Sequence, residues 1–371
     1  MADQLIKPDL NFVKDVIASG GESLKKCFQC ATCSVVCNLS PDDKPFPRKE
    51  MIYAQWGLKD KLFSNPDIWL CHQCSDCTAY CPRGAKPGEV LGAVRKMAIK
   101  NYSSPSFLAN IVNDPKYLIV LFGIPIVIFL IIIGALGNFS YIPKGEDGGI
   151  SLSKLIPPLY VDIVFVPTAA FAALCFVLAI RKYWMDMRKG VESAGKAISG
   201  LYPTIMDILT HKNFKQCDVA KDRKNAHLLL FYSFAGLAIT TTIGVFYLYI
   251  LKWDAPYPQT NIIKLIGNAS AIALLIGITL VVTNRIKNKD KAGIGGYFDW
   301  LLISIIYGVV ATGILSEVLR LANISLAYPM YFSHLVFVFV LFAYAPFSKM
   351  AHMVYRTVAM TFAKCVQREK A

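Results

Sequence analysis

Acidic residues are scarce in this chain, and histidines scarcer. Against 39 Lys and Arg stand 25 Asp and Glu, with 5 His among 371 residues. The shortage of acid is sharpest in the long apolar stretches, which argues against an ion pump, because a pump needs several carboxylates along a path through the bilayer. A flavin or nucleotide fingerprint is also missing: the glycines of GIGG at 293–296 follow no strand. The opening MADQLIKPDLNFVKD carries early acids and no continuous apolar core, unlike a signal peptide, so the first domain is expected to stay in the cytoplasm. The formal charge of +14 comes with no nucleic-acid motif. Basic loops facing the cytoplasm and anionic lipid account for it, and no nucleic-acid partner is expected.

What is abundant is apolar surface. The chain is 55% hydrophobic with a mean hydropathy of +0.45, too apolar for a soluble enzyme of this length. The apolar residues are unevenly spread. Residues 1–101 read as a soluble helical domain, 102–116 as a linker or interfacial helix, and 117–365 as a membrane domain. Six spans, each near the ~20 residues that cross a bilayer, are predicted at roughly 117–137, 159–180, 226–251, 262–283, 299–320 and 328–347. Loop charge sets their orientation. Loop 181–225 holds Arg181, Lys182, Arg188, Lys189, Lys196, Lys212, Lys215, Lys221, Arg223 and Lys224. Loop 284–298 adds Arg285, Lys287, Lys289 and Lys291, and the tail adds Lys349, Arg356, Lys364, Arg368 and Lys370. The opposite loops have only Lys144, Lys154 and Lys252. The positive-inside rule therefore predicts a multi-pass protein of the cytoplasmic membrane with both termini inside. The expected fold is all-α: a two-cluster ferredoxin-like domain followed by a six-helix bundle.

The soluble part is built around two cysteine quartets, CFQCATCSVVC at 27–37 and CHQCSDCTAYC at 71–81. Each spells C-x2-C-x2-C-x3-C, the run that holds [4Fe–4S] clusters, in which the fourth cysteine serves the neighbouring cluster. Cluster one is assigned to Cys27, Cys30, Cys33 and Cys81, and cluster two to Cys71, Cys74, Cys77 and Cys37. A disulfide framework belongs to small oxidised domains. Zinc sites pair C-x2-C with a second pair well downstream. Neither matches two identical quartets. Pro82 follows the last cysteine as the motif expects, and Asn38 stands in its place in the first half. Cys175 reads as apolar core; Cys217 and Cys365 receive no role. Helices are predicted over 9–19, stopped by Gly20 and Gly21, from Pro47 to Gly57, and from Pro87 to about Asn101.

His72 lies between cluster cysteines and reads as a supporting or surface residue; His211 falls in the basic inner loop and reads as solvated. His227 opens the third span, and His352 lies at or just past the inner end of the sixth. Two imidazoles at matching depth on different helices are the usual way to hold a haem b. His334 and His352 are 18 residues apart, about five turns and about 27 Å on one continuous helix, which puts His334 near the outer face. Its partner for a second haem would fall at Leu237, so one haem is expected, and a second would need a ligand other than histidine. His334, Glu317 and Arg320 are the candidates for an outer-facing quinone pocket, in which a histidine and a carboxylate take up quinol protons. The bland alternative is a Glu317–Arg320 ion pair snorkelling to the interface.

On these residues the chain resembles known proteins over nearly its whole length. The twin quartets in a helical domain look like the small iron–sulfur subunit of heterodisulfide reductases. The inner histidine and the pair 18 apart look like haem b membrane subunits of the nitrate reductase gamma type. The fusion is similar to the C-subunit family of the quinone-interacting membrane-bound oxidoreductases (Qmo) of sulfate reducers. The resemblance implies menaquinone as the membrane substrate, cytoplasmic flavin and iron–sulfur partner subunits, and adenylylsulfate reductase downstream. It leaves one alternative, the membrane anchor of a heterodisulfide-reductase-like thiol–disulfide enzyme.

Overall fold

The computed structural model describes residues 7–142, 144–145, 148–189, 191, 197–211, 223–289 and 295–368. Cys217, Gly293, Lys196, Lys212, Lys215, Lys221, Lys291, Lys370 and the Arg223 side chain lie outside the described residues. The described secondary structure is helical throughout, as expected.

In the soluble part, α1 (Leu10–Val16) starts where Asp9 accepts from Phe12 N at 2.9 Å, an N-cap bond that satisfies one orphan amide. It widens into a π turn over Ile17–Gly21 and breaks at Gly20, whose φ of +111° suits a residue without a Cβ. Two longer helices follow, α2 (Arg48–Gln55) behind Pro47 and α3 (Pro87–Tyr102) with Pro87 at its first turn. Val90, Leu91, Val94 and Ala98 recur at helical spacing on α3 and are all buried. They pack against Phe12, Val16, Met51 and Trp69.

Helix α4 (Ser106–Val112) caps the end of the bundle nearest the cluster domain. Asn113 beside it donates to Phe347 O at 3.0 Å. Then come α5 (Leu118–Ala135), α6 (Pro158–Arg188), the shorter α7 (Ala197–Thr210), α8 (Arg223–Tyr249), α9 (Ile262–Lys287), α10 (Tyr297–Leu321) and α11 (Ala327–Ala343). Helices α5, α6, α8, α9 and α10 are long and apolar enough to cross a membrane, and α11 is a shorter apolar helix of 17 residues. Helices α8 and α9 lie close together along their length, as do α10 and α11. Part of the first contact depends on Gly277, where a Cβ would come within 3.0 Å of Leu229 Cβ and 3.2 Å of Leu230 N.

The expected sixth span does not run on as one straight helix to His352. Pro346 removes a helical donor, Ser348 is extended (φ −103°, ψ −179°), and its side chain accepts from Met350 N to start a new helix. That helix, α12 (His352–Cys365), turns back over the soluble domain. Tyr355 stacks on Trp69 with centroids 5.0 Å apart, and Tyr102 lies 5.2 Å from Tyr183 on the inner extension of α6. The hydrophobic core of the cluster domain therefore includes Tyr183 and Met187 of α6 and Tyr355, Ala359 and Phe362 of α12. His334 and His352 consequently sit on two separate helices, and the five-turn register between them is lost.

Candidate iron–sulfur and haem site

The two cysteine loops are built alike. Gln29 and Ala31 flank Cys30 with φ of +61° and +69°; Gln73 and Ser75 flank Cys74 with +54° and +72°. Left-handed residues at these alternate positions curl the backbone into a concave turn. One helical turn follows each, Thr32–Val35 and Asp76–Ala79, and the two turns pack on each other. This brings the fourth cysteine of each quartet across to the other loop. Cys81 is near enough to Cys27 and Cys33 to raise their thiol pKa values, and Cys37 is raised in the same way by Cys71 and Cys74. In each case burial is the larger cause. It pushes Cys33 up to about 11 and Cys37 up to about 12. Cys37, Cys71, Cys74 and Cys77 line one pocket together with Leu39 and Phe46.

This donor set fits an iron–sulfur core. Buried thiols crowded together resist ionisation unless a cationic centre compensates them. Among the described residues no three His, Cys, Asp or Glu side chains close on a point as a single ion requires; these thiols surround a space instead. Polar groups brace the loops. Gln55 Nε2 donates to Cys27 O (2.9 Å) and Leu24 O (3.1 Å), and Gln29 Nε2 donates to Gln55 Oε1 (2.8 Å). Arg95, half-buried on α3, donates through Nη2 to Cys71 O at 2.6 Å and through Nε to Ile68 O. Arg356 of α12 reaches the same Cys71 carbonyl at 3.4 Å. Neither arginine was singled out from the sequence. The available signal was a lone Arg95 beside the apolar face of α3.

Four histidines converge where the Cys71 loop meets the nearer ends of the long helices. His211, expected in solvent, is 4% exposed, and its Nε2 lies 3.3 Å from His227 Nδ1. Phe231 and Tyr232 pack on its ring. The basicity of His72 is depressed by burial first, then by Arg356 and Arg95, and then by the nearby His227 and His211. His352 is held down to about 3 by burial, with Lys349, His227 and Arg356 adding their charge and the Lys349 carbonyl opposing them. Four of the five histidines thus share one neighbourhood.

Their hydrogen bonds suit haem ligation by the two histidines selected for it. His352 Nδ1 donates to Lys349 O at 2.6 Å, so Nε2 carries the lone pair. Leu209 O accepts from His211 Nδ1 at 3.4 Å. That tautomer makes His211 Nε2 the acceptor for His227 Nδ1–H, and His227 Nε2 again carries the lone pair. Fixing a ligand imidazole through its other nitrogen is the usual supporting interaction.

The outer candidates are not assembled into one cluster. His334 Nδ1 donates to Val309 O at 2.9 Å and lies 3.4 Å from Thr312 Oγ1. Its ring fills the space over Gly313, where a Cβ would meet the imidazole at 3.0–3.1 Å. Glu317 is one turn further along α10. It accepts from Lys264 Nζ (2.9 Å), Gln259 Nε2 (2.7 Å) and Arg320 Nη2 (2.9 Å). The ion pair anticipated as the bland alternative is present, within a larger network.

Comparison with known proteins follows the same division. Residues 160–371 match the family described as Citrate utilization protein B (CitB), and residues 23–85 match the 4Fe-4S dicluster domain. The C subunit of the H(2):CoB-CoM heterodisulfide,ferredoxin reductase of Methanothermobacter marburgensis is 39% identical over 93 residues, covering 25% of this chain and 50% of that protein. The heterodisulfide reductase C-subunit-like protein of Archaeoglobus profundus is 36% identical over 85 residues, 23% of this chain and 45% of that protein. The chain thus spans about half the length of these curated relatives. Citrate utilization protein B of Escherichia coli is 23% identical over 314 residues, 78% of this chain and 79% of its own length. No solved structure matches the chain. The N-terminal part is accordingly an iron–sulfur electron-transfer domain like the C subunits of heterodisulfide reductases.

Proposed function

Because the chain belongs to the Citrate utilization protein B family and carries a dicluster domain ahead of the family region, we propose that it is a membrane electron-relay subunit working between a quinone in the bundle and a soluble redox partner. Cys27, Cys30, Cys33 and Cys81 hold one [4Fe–4S] cluster, Cys71, Cys74, Cys77 and Cys37 the other, and His227 and His352 hold one haem b. When bound, these groups supply one-electron transfer.

The observation that carries the reading is the meeting of His72, His227, His352 and Arg356 at the second cysteine loop. On this reading the proposed haem ligands stand on the same side of the bundle as the second cluster, which favours transfer between them. The chain's own residues do the rest. Arg95 and Arg356 fix the Cys71 carbonyl and place positive charge beside an electron-rich centre. Apolar Leu39 and Phe46 keep water from the inner thiols. At the opposite end, His334 and Glu317 are proposed as two separate acceptors of quinol protons, with Lys264 and Arg320 holding the carboxylate in place.

Menaquinone is the proposed quinone, the cytoplasmic membrane the proposed location, with the iron–sulfur domain and both termini inside, and cytoplasmic flavin and iron–sulfur subunits the proposed partners, with adenylylsulfate reductase downstream. The similarity to Citrate utilization protein B along most of both chains favours a second reading of the partner alone: an oxidoreductase of citrate utilization in place of the sulfate-reduction enzymes.

The test is anaerobic visible spectroscopy of the purified protein with a menaquinol analogue, scaled to protein concentration. Haem b bands at one per chain that reduce on adding quinol support the relay. A protein with full cluster content and no haem b bands overturns it.

A further inference from the structure

The two cluster loops differ in what covers them. The loop of Cys71, Cys74 and Cys77 is the more enclosed: Arg95 and Arg356 both donate to the Cys71 carbonyl, and Cys71 and Cys77 are buried. The loop of Cys27, Cys30 and Cys33 is open. Cys30 is exposed; Phe28 (65% exposed) and Val35 (82%) stand in the same loop, and Tyr80 (58%) ends the helical turn that packs against it. Three large apolar side chains next to an exposed cluster ligand are a poor surface to leave in water and a good one to cover with protein.

The rim carries charge of one sign. Lys25 and Lys26 run directly into Cys27, and Arg83 follows Cys81; all three are exposed. The Arg83 guanidinium sits 4.2 Å from the centroid of the Phe28 ring. Arg48, also exposed, donates its backbone N–H to Ser34 Oγ of the same loop at 3.2 Å. Within residues 25–37 and 71–83 and at Arg48, the single carboxylate is Asp76, and it is 4% exposed. A surface with an apolar centre, a basic rim and a redox ligand at its middle selects a partner by charge as well as by fit.

We propose that the face formed by Phe28, Val35 and Tyr80, rimmed by Lys25, Lys26, Arg48 and Arg83, is the docking site for an acidic soluble redox protein whose own cofactor lies at its surface. The proposal rests on the iron–sulfur reading given above and orders the two clusters. The Cys27, Cys30, Cys33, Cys81 site exchanges electrons with the partner, and the Cys71 site with the membrane side. One electron crosses at a time: the donor is oxidised by one, the acceptor reduced by one, and no proton or atom moves with it. Basic charge at the rim gives the encounter its rate and orientation, and the aromatic centre brings the two cofactors to their closest approach.

The experiment uses the full chain in detergent with its clusters loaded and reduced, and an oxidised acidic [2Fe–2S] ferredoxin as the probe acceptor. Stopped-flow traces give the second-order rate constant at low and high salt. The expected result is a rate that falls steeply with ionic strength and drops about 10-fold or more in a Lys25→Glu/Lys26→Glu variant and in a Phe28→Ala/Val35→Asp variant, while integrated EPR of the reduced clusters is unchanged. Variants with normal cluster signals and wild-type rates would overturn the docking site. A wild-type protein lacking cluster EPR signals would instead overturn the iron–sulfur reading beneath it. Light scattering of the same variants supplies the remaining arm: a dimer that becomes monomeric when the face is altered assigns the face to a second copy of this chain and also overturns the proposal.

Discussion

His211 Nε2 stands 3.3 Å from His227 Nδ1, across a gap of 16 residues. The contact joins the end of α7 to the start of α8 and passes a hydrogen bond from Leu209 O through one imidazole to the next. Replacing His211 by Phe removes the acceptor that fixes His227. Loss of such a supporting bond typically weakens metal binding by about 10- to 100-fold. His211→Phe is expected to lower the haem-to-protein ratio in a pyridine haemochrome assay, and His211→Gln, which retains an acceptor, to restore most of it. Equal haem content in the Phe variant would show that His211 only packs.

The crossed cysteine arrangement predicts paired phenotypes. Cys37→Ser should remove the same cluster as Cys74→Ser, and Cys81→Ser the same one as Cys30→Ser, although each fourth cysteine is nearer in sequence to the other set. Residual EPR spectra of the four variants should therefore fall into two matching pairs, each with about half the iron of the parent. Pairing by sequence neighbourhood would refute the crossing.

Arg356 is expected to act on potential more than on stability. Its guanidinium lies on the Cys71 carbonyl, where a positive charge favours the reduced state of a nearby cluster. Arg356→Gln should move one of two cluster midpoints downward by some tens of millivolts in an EPR redox titration and leave the other in place. Two shifted midpoints, or none, would contradict the assignment of that loop to the inner cluster.

A buried acid pair sets a pH limit. Arg368 binds Asp67 with both nitrogens and Lys44 O at 2.9 Å, while Lys49 reaches Asp67 at 2.9 Å and Asn65 donates to Glu50 at 2.8 Å. Burial, and then the Asp67 charge, raise Glu50 from 4.5 to about 7; the bonds from Arg368 and Lys49 hold Asp67 below its usual range despite its burial. For Glu50 the folded value lies above the unfolded one. Its contribution is complete below about 4.5 and is lost as pH rises through about 7. Asp67 has the opposite sign and contributes above its unfolded value of 3.8. Glu50→Gln should flatten the fall in thermal stability between pH 4.5 and 7. Arg368→Ala, which strands a buried carboxylate, should cost about 3–5 kcal/mol in chemical denaturation. A parent protein with no such pH slope would refute the Glu50 assignment.

The quartets and the apolar spans were legible in the sequence because each is local: a fixed spacing, or a run about 20 residues long. The break after α11 was half legible. Pro346 was visible inside the expected last span, but Ser348 as the start of a new helix depends on its side chain reaching Met350 N. The gathering of the histidines was not legible. It requires α7 to pack on α12, which happens at Gly200, where a Cβ would meet Cys365 Sγ at 2.8 Å, and no periodicity reports a contact so far apart in the chain. The place of His334 over Gly313 is hidden for the same reason. So is the exposure of Cys30 against the enclosure of its counterpart: the two loops read almost identically, and their surroundings differ only in three dimensions.

The Arg368–Asp67 bond spans 301 positions of sequence, and Tyr355 completes the stack on Trp69. During synthesis, the first hundred residues are therefore made long before the helix that closes their core. The N-terminal domain thus reaches its final packing only after the long apolar helices between these residues have been made.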